Sequence, residues 1–524
     1  MNTSLSTLNC FYLLWLPVVL NGLVACNESL DVPPNRVLES DYFLNEAQIR
    51  LGIGGVYAKI SDIYAYNTNL PNHLMWLLPG DDLYSNSAHT MDNFINLNAE
   101  NPDLNAVWMR YYQLVNRANT MLEKIEERAK VYQTPHLKDY NQGELLFLRS
   151  WAFYKLWHWW EKAPLATERK THLGENLFLP PSEGLQMLDT AIRDLETAAT
   201  LLPVAWPAPE TGRVTQDAAY GLLVKCYLSR ACFRERNTED YQKAITAYTK
   251  ISDSRALTPH FGQNFDYRYE NNEESLFEFQ ASQSAEENPF VEGGNDFGRN
   301  VGSLGAFYQH FENTWTNGGN LVVPTPKLRA VFHHQDPRIA ETFQKVSDPA
   351  WGFNEGYKFV KYVHSERNRY ASGRWAITSV NNTRLLRLAD VKLGVAEAYL
   401  QTGQPAEARQ EVNEVRARAR KSTDDGRELN EPADLSHITM EDIMQERLRE
   451  LAGEENHRWI DLKRWHQAGY INLADWNKID FGFPAAYPDH QFGFRTLVHL
   501  RMPIPVSELN NNPEMLKSGQ HPGY

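Results

Sequence analysis

The stretch Arg384 to Arg420, RLLRLADVKLGVAEAYLQTGQPAEARQEVNEVRARAR, constrains the fold more than any other, because neither of its halves can bury its apolar face alone. In the first half Leu385, Leu388, Ala389, Ala396 and Tyr399 share one helical face, with Leu386, Leu393 and Leu400 beside it. Gly403 suits the left-handed cap after the last turn, and Pro405 suits the first turn of a second helix, where its missing amide costs nothing. In that second helix Ala408, Val412, Val415 and Ala419 make the buried stripe, and Glu414 and Arg418 are placed to pair on the wet face. Two such arms have the length of a tetratricopeptide unit, roughly 34 residues. More pairs must stack on this one.

The rhythm recurs earlier in the chain. Leu104, Val107, Trp108, Tyr111, Ala118, Leu122 and Ile125 stripe one helix; Leu145, Leu148, Ala152, Leu156 and Trp159 stripe the next, from about Gly143 to Trp160. A third begins at Ser182 as N-cap and ends before Pro203, Thr215 caps a fourth, and Tyr241, Ala244, Ile245 and Tyr248 mark a fifth. From about Leu257 to Asn382 the period is lost to Gly, Asn and aromatics, apart from an alternating strand candidate at Leu276 to Gln280. Helices resume and run to the stripe of Ile443, Met444, Arg447, Leu448 and Leu451, and the tail after Met502 reads as extended and turn-rich. The expected fold class is all-α dominated, a tetratricopeptide-like helical-repeat scaffold over about 45–255 and 383–470 with a loop-rich insertion over about 257–382 and minor β.

The first 25 residues read as a leader. Phe11 to Leu20 is apolar but too short to span a bilayer, and Leu23-Val24-Ala25-Cys26 places small residues before a cysteine, as in a bacterial lipoprotein signal. That pattern predicts cleavage before Cys26 and lipidation of Cys26; an ordinary secretory leader and a buried N-terminal helix are the alternatives. Of the remaining cysteines, Cys226 and Cys232 lie six apart on one helix, beyond disulfide reach, and are expected as core thiols. A net charge of −14 opposes nucleic-acid binding, which needs clustered cations to neutralise phosphates.

Several segments together resemble one family: the Cys26 signal, Gly143-Glu-Leu-Leu-Phe-Leu-Arg-Ser-Trp-Ala-Phe-Tyr, Asn272-Glu-Glu-Ser-Leu-Phe-Glu-Phe, Arg384-Leu-Leu-Arg-Leu-Ala-Asp, Glu446-Arg-Leu-Arg-Glu-Leu, His457-Arg-Trp-Ile-Asp-Leu-Lys-Arg, Ile504-Pro-Val-Ser-Glu-Leu and the terminal His521-Pro-Gly-Tyr. They look like the SusD/RagB outer-membrane lipoproteins. The resemblance implies one SusD-like domain over 26–524 in which four tetratricopeptide-like helix pairs form a scaffold and irregular loops carry the binding surface. It further implies a non-catalytic, surface-exposed protein that captures glycan or another nutrient and delivers it to a SusC-like TonB-dependent outer-membrane transporter.

Sugar rings pack their C–H faces on aromatic planes and need polar groups at the rim. Two loop segments supply both, and their residues are the candidate ligand contacts: Trp76, Asp81, Asp82 and Tyr84 in the first, Tyr308, Phe311, Trp315 and Asn320 in the second. Trp151, Trp157, Trp159 and Trp160 are expected in the core by their helical spacing, and Arg447 and Arg449 with Glu446, Glu450 and Asp461 as buried or interfacial ion pairs. Asp81-Asp82 falls short of a calcium site, and His333-His334 point to opposite sides of the backbone, so no metal or cofactor is expected. Metalloprotease, nucleophile-elbow, phosphate-loop and dinucleotide motifs are all lacking. A peptide-binding uptake protein on the same scaffold and a glycoside hydrolase are the rival expectations.

Overall fold

The computed structural model describes residues 42–64, 73–85, 89–169, 177–281, 322–345, 356–362, 381–455 and 457–524. Ten helices of eleven residues or more carry these residues: α1 Glu46–Tyr64, α2 Pro102–Glu127, α3 Leu137–Trp160, α4 Gln186–Leu201, α5 Gln216–Phe233, α6 Thr238–Tyr248, α7 Leu388–Gln401, α8 Pro405–Lys421, α9 Met440–Leu451 and α10 His457–Gln467. Eight of them pack as four pairs, α1 with α2, α3 with α4, α5 with α6 and α7 with α8, and each pair also packs on the next. The stack expected from the opening pair is the observed scaffold.

Local chemistry explains where these helices begin and which are central. Asn101 caps α2, its side-chain oxygen accepting the amides of Asp103 at 3.0 Å and Leu104 at 3.1 Å, and Pro102 follows at the first helical position. From Gly143 onward every residue of α3 is buried, so this helix has no wet face and runs through the middle of the stack. Trp151, Trp157, Trp159 and Trp160 are all core, as their spacing predicts. The C-terminal carbonyls of α3 are closed by the tail: Met502 donates its amide to Trp159 O at 2.8 Å, and the His521 ring bonds Trp160 O at 2.9 Å. The tail itself is not merely extended, since Val506–Asn511 and Pro513–Ser518 form short helices.

The first four residues of the opening stretch depart from the helical expectation. Thr383–Arg387 is a strand, β6, paired antiparallel with β2, Ser275–Phe279, and α7 starts only at Leu388. Both faces of β6 are covered, so its Leu-Leu run lacks the alternation that marks a half-buried strand and reads equally well as helix. The β2 partner is the strand expected at Leu276 to Gln280. Beyond Leu388 the expectation holds: Gly403 sits at φ +76° and Pro405 opens α8. Arg418 turns inward to Glu274 and Glu450 instead of pairing with Glu414, which accepts from Lys392 at 2.7 Å. At Ser182 the hydroxyl donates to Ala163 O at 2.7 Å, and α4 begins four residues later without a side-chain cap. Cys226 and Cys232 are free and buried. Among the described residues no helix is long and apolar enough to cross a membrane.

Two more strand pairs involve the middle of the insertion: β1, Leu83–Tyr84, with β3, Val323–Pro324, and β4, Phe343–Lys345, with β5, Tyr357–Phe359. Gly453, just after α9, holds β5 against the scaffold. Its φ is +65°, and a Cβ there would stand 2.1 Å from Phe359 Cζ. Gly453→Ala should therefore cost about 2–4 kcal/mol from backbone strain and overpacking together, read as a lower denaturation midpoint at unchanged m-value.

Candidate functional site

The first candidate loop turns out to be interior. Trp76 is 3% exposed, stacks on Tyr64 at 5.4 Å between centroids and meets Tyr111 and Trp159 edge-on. Asp81 is gripped by Arg458 and Lys327; burial pushes its carboxyl up, but these two cations overcome that and hold it below the usual range. Asp82 accepts the Gly453 amide at 2.9 Å, and burial raises it to about 6. Tyr84 packs on Phe483 with 5.8 Å between ring centroids and is 1% exposed.

These placements correct the expectation that Trp76, Asp81, Asp82 and Tyr84 offer a contact surface. Aromatic and acidic residues in a loop-like sequence are the same types that build an interior hinge, and only the packing of α1, α2 and α10 around them tells the two apart. Their task is structural. Thr325 donates its hydroxyl to Asp81 O at 2.7 Å and its amide to Asp82 O at 2.9 Å, so Asp81 to Tyr84 anchor β3, in the middle of the insertion, to the scaffold. Asp81 spends both side-chain oxygens on Arg458, which argues against calcium there. Tyr308, Phe311, Trp315, Asn320 and Cys26 lie outside the described residues.

Beneath the insertion lies a buried ionic lattice. Arg387 on β6 donates to Glu274 at 2.6 Å, Glu450 at 2.7 Å and Glu454 at 2.7 Å. From the insertion, Arg338 reaches Asp336 at 2.8 Å, Glu446 at 2.7 Å and Glu450 at 3.0 Å, and Lys361 reaches Glu454 at 2.9 Å. Arg418 of α8 closes it through Glu274 and Glu450. A neighbouring set joins Arg447 to Asp390 and Asp461, and Arg464 to Asp461 and Glu397. Arg447, Glu446, Glu450 and Asp461 are thus ion-paired in the interior as expected, and Arg449 pairs with Glu446 at the edge of the lattice.

This lattice is poor acid–base machinery. Burial pushes Glu274, Glu446 and Glu450 up, yet the arginines around them prevail and hold all three below the ordinary carboxylate range. Carboxylates held ionised have no proton to give a leaving group at neutral pH. Its geometry instead ties the insertion to the repeats.

One further cluster has metal-ligand residue types. Donor atoms of His260, Glu341 and Asp424 lie within 4.8 Å of one another. His260 Nδ1 already accepts the Gly262 amide at 3.0 Å, so in the neutral ring Nε2 carries the proton and offers no lone pair. The tautomer fits a hydrogen-bonded cap better than a metal ligand.

Residues 345–524 match the SusD family, and residues 28–228 match the family described as starch-binding associating with outer membrane, SusD-like. The chain belongs to the SusD/RagB family. Among its relatives, SusD-like protein P38 of Formosa agariphila is 26% identical over 486 residues, covering 86% of this chain and 90% of that one. The surface glycan-binding protein A of Bacteroides uniformis superposes with a TM-score of 0.71 at 21% identity, over 91% of this chain and 99% of the other. A laminarin-binding SusD-like protein does so with a TM-score of 0.70 at 21% identity, over 92% and 100%. These likenesses establish the helical-repeat fold of the SusD family.

Proposed function

We propose that the chain is a non-catalytic lipoprotein of the outer-membrane surface that binds an oligo- or polysaccharide and delivers it to a partner TonB-dependent transporter. The observation that carries this reading is the match of residues 28–228 to a family described by starch binding in association with the outer membrane. Structural neighbours described as glycan- and laminarin-binding support it. In this reading residues 1–25 are removed, Cys26 bears the lipid, and 26–524 act as one SusD-like unit. Ligand contacts fall to Tyr308, Phe311, Trp315 and Asn320, because the other candidate loop spends its side chains on packing. The scaffold supplies position and the insertion supplies recognition.

Affinity electrophoresis against a panel of polysaccharides is the test, followed by an assay for new reducing ends. The expected outcome is retardation by at least one glycan with no increase in reducing ends. Retardation with hydrolysis would make the chain a glycosidase, and no retardation across the panel together with binding of peptides would make it a peptide-uptake protein.

A further inference from the structure

A cavity of about 180 Å³ lies away from the insertion, between the end of α3, α5, α10 and the segment Thr496 to Arg501. Trp157, Phe233, Val498 and Leu500 give it apolar walls, and it opens beside Leu497, which is 91% exposed. Cavities of about 150 Å³ accept a benzene-sized ring. Ring-sized occupants therefore fit.

Lys463 stands in its wall and is 8% exposed. Every other buried lysine or arginine among the described residues has a carboxylate within ion-pair distance. Lys463 has none; its one protein partner is the main-chain oxygen of His158, near the C-terminus of α3. An ammonium has three donors, so two are left without a protein acceptor. The other charges of the wall are already matched, Arg501 by Glu161 at 2.6 Å and Arg464 by Glu397 at 2.6 Å and Asp461 at 2.9 Å. His158 adds no charge: burial and the surrounding cations hold its ring well below the usual range, and it bonds Ser229 Oγ at 3.0 Å. The cavity thus carries one surplus positive charge beside aromatic and aliphatic walls. Burial also lowers the Lys463 amine to about 8; the Glu161 carboxylate, which pairs with Arg501, pulls it up only in part, and Arg501 adds to the fall.

We propose that this cavity binds an organic acid of the size of one six-membered ring, its carboxylate on Lys463 and its ring against Trp157, Phe233 and Leu500. The carboxylate supplies the counter-charge that the protein withholds, and the apolar walls take the flat face of the ring. This site is separate from glycan capture by the insertion, and neither depends on the other.

Calorimetric titration of the mature chain with glucuronate, glucose and inorganic sulfate tests it. Glucuronate is expected to bind saturably, glucose and sulfate not, and Lys463→Met is expected to weaken glucuronate binding by at least about tenfold. A second readout covers a variant that fails to fold: glucuronate should protect Lys463 of the wild-type chain from an amine-acylating reagent, followed by mass spectrometry of its peptide. Equal binding of glucose, displacement of glucuronate by sulfate, or unprotected Lys463 at saturating glucuronate would overturn the proposal.

Discussion

Replacing Leu393 by Asp should leave no folded protein. Leu393 is fully buried where α7 meets α8 and α9, in a cluster with Ala396, Ala408, Val412, Val415 and Ile443. The substitution removes the leucine's transfer energy, opens a cavity and places a carboxylate among apolar side chains. Leu→Ala at such sites costs about 2–5 kcal/mol, and an unpaired buried charge adds several more. Native domains hold only about 5–15 kcal/mol in all. Leu393→Ala, lacking the charge, should fold with stability lowered by about 3 kcal/mol. Circular dichroism and denaturant titration of the two variants measure the difference; a folded Leu393→Asp would mean that the helix pair is not essential to the scaffold.

The second large effect is expected at Arg387. Its guanidinium serves Glu274, Glu450 and Glu454 at once, so Arg387→Met leaves three buried carboxylates short of a partner. Breaking a buried ionic set from one side costs about 3–5 kcal/mol. The same lattice sets the response to acid. Glu274 and Glu450 titrate below their ordinary range in the folded chain, so the stability they give is complete above the unfolded value, about pH 4.5, and is lost as pH falls toward the folded one. Wild-type stability should therefore fall steeply below about pH 4.5, and that of Arg387→Met less steeply. Identical acid slopes would remove Arg387 from the lattice.

The helical pairs were legible because a 3.6-residue period survives wherever one face stays wet, as in α2 and α8. Strand β6 was not, because Arg384 to Arg387 are buried on both faces and their charges point into the protein. The same blindness affected the candidate site. Trp76 and Tyr84 belong to residue types that bind sugars and fill cores equally well, and what separates them here is contact with Tyr64, Tyr111 and Phe483, which lie on other elements of the fold. Lys463 stood inside the segment His457 to Arg464, but nothing in that segment marked it as unpaired. One lysine in a helix is unremarkable until every neighbouring cation is seen to have a counter-ion.

The proposed division of labour between a scaffold that holds and an insertion that recognises is most directly tested at Trp315. A glycan retained by the wild-type chain should be titrated calorimetrically into wild type and Trp315→Ala, with melting temperatures recorded for both. Stacking of a sugar on tryptophan predicts at least about a tenfold loss of affinity at an unchanged melting temperature. Unchanged affinity, or a melting temperature that falls with it, would contradict the assignment and make Trp315 one more residue of the core.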